Sequence, residues 1–223
     1  MTHRAPRELW PLAARAAIFD FDGTLANTAQ LWRQVDMAFL SKRGLPYTAD
    51  YPERLAALGF AEGARYTIEL YKLNETVEQI CDEWNRLGME LYRETVVLRP
   101  GAQRYINALR DASVPCALAT TNDREVLGSM RNVRIEELFD VRVHGAEVGR
   151  GKDHPDIYLE AARRLGVDPT DCLVFEDIVP ALSSAKRAGM IACGVRANDS
   201  MQPIETAQSV ADIWLDDWTD IPL

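Results

Sequence analysis

The residues of this chain that could do chemistry stand at the ends of apolar runs. Ala16-Ala17-Ile18-Phe19 leads directly into Asp20-Phe21-Asp22-Gly23, so a hydrophobic stretch stops at two carboxylates two residues apart and a glycine. Such a run reads as a buried parallel strand entering a turn. Alternation along an extended chain sends Asp20 and Asp22 to one side and Phe19 and Phe21 to the other. Two acids at the mouth of a strand make a cation site, and the carboxyl ends of strands in open α/β sheets are where ligands bind. The alternative is that two surface acids simply begin a loop.

Three later stretches supply further candidates. The run from Val114 to Ala119 ends in Thr120-Thr121-Asn122-Asp123, which offers a hydroxyl and unpaired backbone N–H groups at a helix entry, a cradle for an anion. Ordinary helix capping accounts for the same residues. Gly149-Arg150-Gly151-Lys152 sets a lysine in a tight turn that can aim its ammonium at a carboxylate and a phosphate together; a solvated basic turn is the alternative. Leu173-Val174-Phe175-Glu176-Asp177 is a second apolar run ending in acids, with capping of the helix near Val179 as the alternative account. In a parallel sheet these ends share one edge, so Asp20, Asp22, Glu176 and Asp177 can converge. Carboxylates gathered in this way repel one another unless a cation sits among them, and hard oxygen ligands with room for water suit Mg²⁺.

The elements that would position these residues fall into two blocks. Residues 27 to about 95 read as successive helices with no strand between them. Thr28 is the expected cap of the first, which Gly44 and Pro46 stop; shorter helices follow at 52–58 and 61–73, and Asn74 precedes a longer one with Val77, Ile80, Cys81, Trp84, Leu87 and Leu91 on one face. From Pro100 onward helices and strands alternate: helix 101–111, strand 114–120, helix 123–131, strand 140–143, helix 155–165, strand 172–175, helix 179–188, strand 190–195 and a last strand near 211–215. That alternation is the mark of a parallel sheet with helices on its faces. The helical block is then an insert directly after the first strand, placed to cover the two aspartates and exclude water, or else a static layer of the core.

Composition bounds the rest. With 223 residues, 47% of them hydrophobic, the chain can bury a full core. A net charge of -9 speaks against a nucleic-acid partner, though not against a small phosphorylated ligand held by local positive charge. No apolar run approaches the ~20 residues of a membrane span. Residues 1–14, broken by Pro6, Arg7, Glu8 and Pro11, read as a frayed lead-in and not as a secretory signal. Cys81, Cys116, Cys172 and Cys193 lack paired spacing and are expected to be free thiols in a reducing cytosol.

Together the four motifs resemble the haloacid dehalogenase-like hydrolase superfamily, in the branch with a helical cap after the first strand, and are similar to sugar-phosphate phosphatases and β-phosphoglucomutases. Asp20-Phe21-Asp22-Gly23-Thr24 resembles the first motif, Thr120 the second, Lys152 the third and Glu176-Asp177 the fourth; Pro155-Asp156-Ile157-Tyr158 is close to the run that follows the family's lysine. The resemblance implies a Rossmann-like α/β core at 15–26 and 97–223 and a cap at 27–96. It implies a cytoplasmic Mg²⁺-dependent phosphatase, monomeric or weakly homo-oligomeric, acting on a small phosphorylated metabolite such as a sugar phosphate. Asp20 would be the nucleophile and Asp22 the general acid and base. Asp20, the Asp22 carbonyl, Asp177 and Glu176 would hold the metal, and Thr120, Lys152 and the neighbouring N–H groups of Gly23, Thr121 and Asn122 the phosphate oxygens.

The chain departs from that pattern in places. Asn27-Thr28 stands where many relatives have Asp followed by Ser or Thr, and Trp32 where β-phosphoglucomutases carry a histidine. The stretch Leu58 to Ala64 lacks their distal-phosphate arginine, and Arg65 is expected to point elsewhere. Simple hydrolysis is therefore the expectation, with a phosphomutase and a non-catalytic phosphate-ester sensor as alternatives. Trp32, Phe60, Tyr66 and Trp84 could line a substrate pocket but are more simply core residues. His144 and His154 are expected to serve as caps or to be solvated.

Overall fold

The computed structural model describes residues 8–56, 58–197 and 203–223. Six strands form one parallel sheet in the order β3-β2-β1-β4-β5-β6, with β1 at Ala16–Phe19, β2 at Cys116–Thr120, β3 at Val141–His144, β4 at Cys172–Glu176, β5 at Ile191–Val195 and β6 at Ile213–Leu215. Between β1 and β2 run helices α1 (Ala29–Lys42), α2 (Asp50–Leu55), α3 (Phe60–Tyr71), α4 (Val77–Thr95) and α5 (Ala102–Asp111). Helices α6 (Arg124–Gly128) and α7 (Ile135–Leu138) lead to β3, and α8 (Gly145–Val148) and α9 (Asp156–Leu165) to β4. Helix α10 (Val179–Arg187) leads to β5, and α11 (Ile204–Val210) to β6. This is the expected Rossmann-like core with an inserted helical cap.

The alternation of β1 divides the core. Ala17, Phe19 and Phe21 enter one apolar layer with Tyr105, Phe175 and Trp218, while Ala16 and Ile18 enter the other with Ile157, Tyr158 and Leu182. Helices therefore cover both faces, which explains strands that are apolar throughout. Phe19 stacks on Phe175 with centroids 4.7 Å apart and planes 5° from parallel, and Trp218 closes against Phe175 at 5.1 Å. These rings fix the two central strands just before their acidic ends. The inserted helices have an apolar cluster of their own, built from Val35, Phe39, Tyr51, Ile80 and Trp84. Arg43 ties the end of α1 to α4 through Glu83 at 2.7 Å while its guanidinium stacks 3.7 Å above Phe39.

Several details differ from the sequence expectation. Helix α4 is capped by Thr76, whose hydroxyl accepts the Gln79 N–H while the Gln79 side chain accepts that of Thr76. Its buried face is Ile80, Trp84, Gly88 and Tyr92, because Gly88 lets α4 approach Trp32 and Val126. Strand β2 starts at Cys116 since the Val114 N–H is spent on Leu109 at the end of α5 and Pro115 has none. Helix α6 stops at Gly128, where the Ser129 hydroxyl donates to the Val126 carbonyl. Helices α7, α8 and α11 are too short to show a helical period. Leu9 is fully buried and its carbonyl accepts from Tyr105, and Trp10, Leu12 and Ala14 pack against the core, while residues 1–7 of the expected lead-in and residue 57 of the expected helix 52–58 lie outside the described residues. All four cysteines are free thiols. No helix among the described residues is long and apolar enough to cross a membrane.

Phe175→Ala should cost about 3–5 kcal/mol of stability in urea unfolding, whereas Arg163→Ala on the exposed face of α9 should stay within about 0.5 kcal/mol; equal midpoints would refute the role given to the central ring stack.

Candidate active site

The turn after β1 carries the first two acids. Asp20 continues the ladder by donating its N–H to the Phe175 carbonyl at 3.1 Å, and the chain then folds so that the N–H groups of Leu25 and Ala26 both reach the Phe21 carbonyl. Gly23 has φ +82°, and a Cβ there would lie 2.2 Å from Asp177 Oδ2. Only glycine allows the turns after β1 and β4 to interlock in this way. Thr24 Oγ1 donates to Asp177 Oδ1 at 3.3 Å, and the loop is pinned from behind by Arg99 on the Gly23 carbonyl (3.2 Å) and Trp218 Nε1 on that of Thr24 (3.1 Å).

Lys152 enters from the turn before α9 and donates to both Asp20 Oδ1 and Glu176 Oε1. All three side chains are buried, and Tyr158 Oη also donates to Glu176 Oε1, at 2.7 Å. One oxygen each from Asp20, Glu176 and Asp177 fall within 4.8 Å of one another. Burial, and then the charge of Glu176, raise the Asp20 carboxyl to about 7 against the pull of Lys152; burial and Asp20 likewise raise Asp177 well above the ordinary range. Burial opposes the charge of Lys152, but Asp20 and Glu176 outweigh it and hold the ammonium more firmly protonated than usual. One ammonium among three closely set carboxyls leaves an oxygen-only group short of positive charge, and that donor chemistry fits a hard divalent cation.

Asp22 stands apart from this group. Thr28 Oγ1 (2.7 Å) and Tyr92 Oη donate to its Oδ1, and Asn122 Nδ2 donates to its Oδ2 at 3.0 Å. Its pKa is nevertheless raised, by burial first and the charge of Asp20 second, with the three donors acting against them. Burial and Asp20 thus favour the protonated form of the acid that three neighbours hold in place, while those donors oppose it.

The expected phosphate cradle is rearranged. The Gly23 N–H is taken by the Ala26 carbonyl at 2.8 Å, so the glycine makes room for Asp177 where a phosphate donor was expected. Thr120 is fully buried at the end of β2, and its Oγ1 accepts the Asn122 N–H at 3.0 Å. Asn122 thus spends its backbone donor on Thr120 and its side chain on Asp22. His144 Nδ1 donates to the Asn122 carbonyl at 3.0 Å, so this histidine has a buried partner, whereas His154 lies exposed beside Arg150. Thr28 spends its hydroxyl on Asp22 and makes no side-chain cap bond to α1. Thr28, Tyr92 and Tyr158 are site residues that the sequence reading missed. A tyrosine one turn beyond Gly88 on the buried face of α4 was the available signal for Tyr92.

A cavity of about 200 Å³ opens over these groups. Asp20, Asp22, Thr121, Asn122, Lys152, Glu176 and Asp177 line it from the sheet edge, and Trp32, Arg33, Asp36, Glu53, Phe60 and Trp84 from the inserted helices. Arg65 and Tyr66 are not part of its wall. Glu62, at the start of α3, accepts the Gly151 N–H at 2.9 Å and joins the inserted helices to the turn that carries Lys152.

The profile of haloacid dehalogenase-like hydrolases matches residues 17–195. The chain belongs to this family. It is 33% identical over 180 residues to a phosphorylated carbohydrates phosphatase of Thermotoga maritima, covering 78% of this chain and 82% of that protein. It is 34% identical over 180 residues to a probable pseudouridine-5'-phosphatase of Drosophila melanogaster, covering 78% of each. A crystal structure of β-phosphoglucomutase from Clostridium difficile shares the fold with a TM-score of 0.81 over 94% of each chain, at 20% identity.

Lys152→Met should destabilise the fold by about 3–5 kcal/mol near neutral pH, because it strands buried carboxylates without a counter-charge. Carboxyls whose folded pKa is raised, as Asp20's is to about 7, bind more protons folded than unfolded, so their contribution falls as pH rises from about 4 to about 7. The deficit of Lys152→Met against the parent should therefore be larger at about pH 7 than at about pH 5 in urea unfolding with chelator; a pH-independent deficit would contradict the charge balance.

Proposed function

We infer that this protein is a Mg²⁺-dependent phosphatase that hydrolyses a small phosphorylated metabolite, such as a sugar phosphate, through an aspartyl-phosphate on Asp20. The observation that carries the reading is the division of labour between two acids: Asp20 lies in the oxygen cluster against Lys152, and Asp22 lies outside it, held by three donors. The named substrates of the relatives, phosphorylated carbohydrates and pseudouridine 5'-phosphate, are both small phosphate monoesters.

Asp20 attacks phosphorus and forms the acyl phosphate while the bond to the leaving oxygen breaks. Asp22, whose pKa burial raises, gives its proton to that oxygen and then takes one from the water that attacks the same phosphorus and frees Asp20. Lys152 steadies the Asp20 carboxylate and the charge of the transferring group. Thr120 and the backbone around Thr121 are assigned to the remaining phosphate oxygens. Asp20, the Asp22 carbonyl and Asp177 would hold Mg²⁺, with Glu176 supporting through Lys152; the metal supplies positive charge against the phosphoryl oxygens. Uncatalysed monoester hydrolysis is slow enough that enhancements can approach ~10²¹, so positioning and electrostatics must act together.

Residues 15–26 and 97–223 are assigned to the catalytic core and 27–96 to the cap, whose closure keeps water out. The phosphomutase alternative gains one observation, since Arg33 in the cavity wall could face a second phosphate. It is set against Asp36 on the same face of α1, whose carboxyl opposes a second phosphate and favours hydrolysis.

The test is phosphate release from para-nitrophenyl phosphate. Chelator should abolish it and Mg²⁺ restore it; Asp20→Asn should lower kcat by roughly 10³-fold or more and Asp22→Asn by roughly 10²- to 10⁴-fold. Turnover that survives Asp20→Asn, or binding of esters with no turnover at all, would overturn the reading.

A further inference from the structure

The other acids of the site each have a donor. Lys152 serves Asp20 and Glu176; Thr28, Tyr92 and Asn122 serve Asp22; Thr24 serves Asp177. Asp36 differs. It is 7% exposed, lines the cavity, and accepts no hydrogen bond among the described residues. A carboxylate drawn largely out of water is costly, polar groups so placed in folded proteins are ordinarily satisfied, and the cavity that Asp36 lines is where a donor can reach it. Burial alone pushes its carboxyl up to about 7.

Its position gives the missing donor a place. Ala29, Trp32, Arg33 and Asp36 follow one another at helical spacing along the cavity face of α1. Ala29 adjoins Thr28, which holds Asp22, and Asp36 lies seven residues further on, about 10 Å along the helix axis. Asp36 therefore faces the part of a bound ester remote from its phosphorus, between walls formed by Trp32, Phe60 and Trp84.

We propose that Asp36 is a specificity-determining residue that accepts a hydrogen bond from a distal hydroxyl of a neutral, polyhydroxylated phosphate monoester. The proposal rests on the phosphatase reading above and names the substrate class of the same site. Its carboxylate repels a second phosphate or carboxylate at that end, and Arg33, one turn away on the same face, repels an ammonium. A hydroxyl is the neutral group that donates to Asp36 without meeting either repulsion, and the aromatic walls receive the carbon skeleton.

The test compares kcat/KM of the full chain, with Mg²⁺, for sorbitol phosphate, hexyl phosphate, aminohexyl phosphate and fructose bisphosphate. The parent should prefer sorbitol phosphate to hexyl phosphate by about 10- to 100-fold, the range for a hydrogen bond to a charged group. Asp36→Leu should collapse that ratio, chiefly through KM. Asp36→Asn, whose amide oxygen still accepts, should keep part of the ratio and raise fructose bisphosphate relative to sorbitol phosphate. A ratio unchanged in both variants, or a parent that favours hexyl or aminohexyl phosphate, would overturn the proposal. If Asp36→Leu fails to fold by circular dichroism, the bisphosphate shift in Asp36→Asn decides alone. Failure of the parent to turn over para-nitrophenyl phosphate would instead strike the phosphatase reading and leave the two results distinguishable.

Discussion

Lys152 lays one ammonium between Asp20 and Glu176 in a site from which water is largely removed, with Asp177 close by. Four acids at the ends of two adjacent strands would repel one another and resist folding without it. The rest of the site follows from satisfying that charge. Tyr158 holds Glu176 so that Glu176 can hold Lys152, and Thr24 and Gly23 shape the turn so that Asp177 can stand beside Asp20. The lone ammonium still leaves the oxygens short of positive charge, which is the physical case for a divalent cation.

The parallel sheet makes this convergence possible. Strands β1 and β4 are neighbours in register, with Phe19 opposite Phe175, so their acidic ends must emerge side by side. The ring stack behind them keeps that register. Lys152 arrives from the turn before α9, and Asp22 is steadied by residues from three places: Thr28 at the start of α1, Tyr92 near the end of α4, and Asn122 after β2. Two of those three belong to the inserted helical block. The acid is thereby tied to the elements that cover the site.

Much of this arrangement is legible in the sequence because it is carried by strand ends. An apolar run stopping at Asp20 or Glu176 declares both an element and its functional terminus, and the alternation of Phe19 and Phe21 against Asp20 and Asp22 needs no tertiary knowledge. The inserted helices were less legible. A period of 3.6 marks α4 as a helix but does not say that Gly88 meets Trp32 and Val126 or that Tyr92 reaches Asp22. Thr28 looked like a cap because threonine before a helix usually is one, and its partnership with Asp22 depends on a turn that brings residues six apart together. Gly23 and Asn122 looked like phosphate donors, yet each N–H closes a local turn. Local hydrogen bonds of that kind are settled by backbone geometry that residue types alone do not reveal.

Covalent phosphoryl transfer to Asp20 is the central claim, and rapid acid quench during turnover of a phosphate ester, followed by mass spectrometry of the peptide that spans Asp20, tests it most directly. The account predicts the mass of one phosphoryl group on Asp20, present during turnover and absent in Asp20→Asn. An unmodified Asp20 under conditions where phosphate is being released, or a phosphoryl group on another residue, would contradict it.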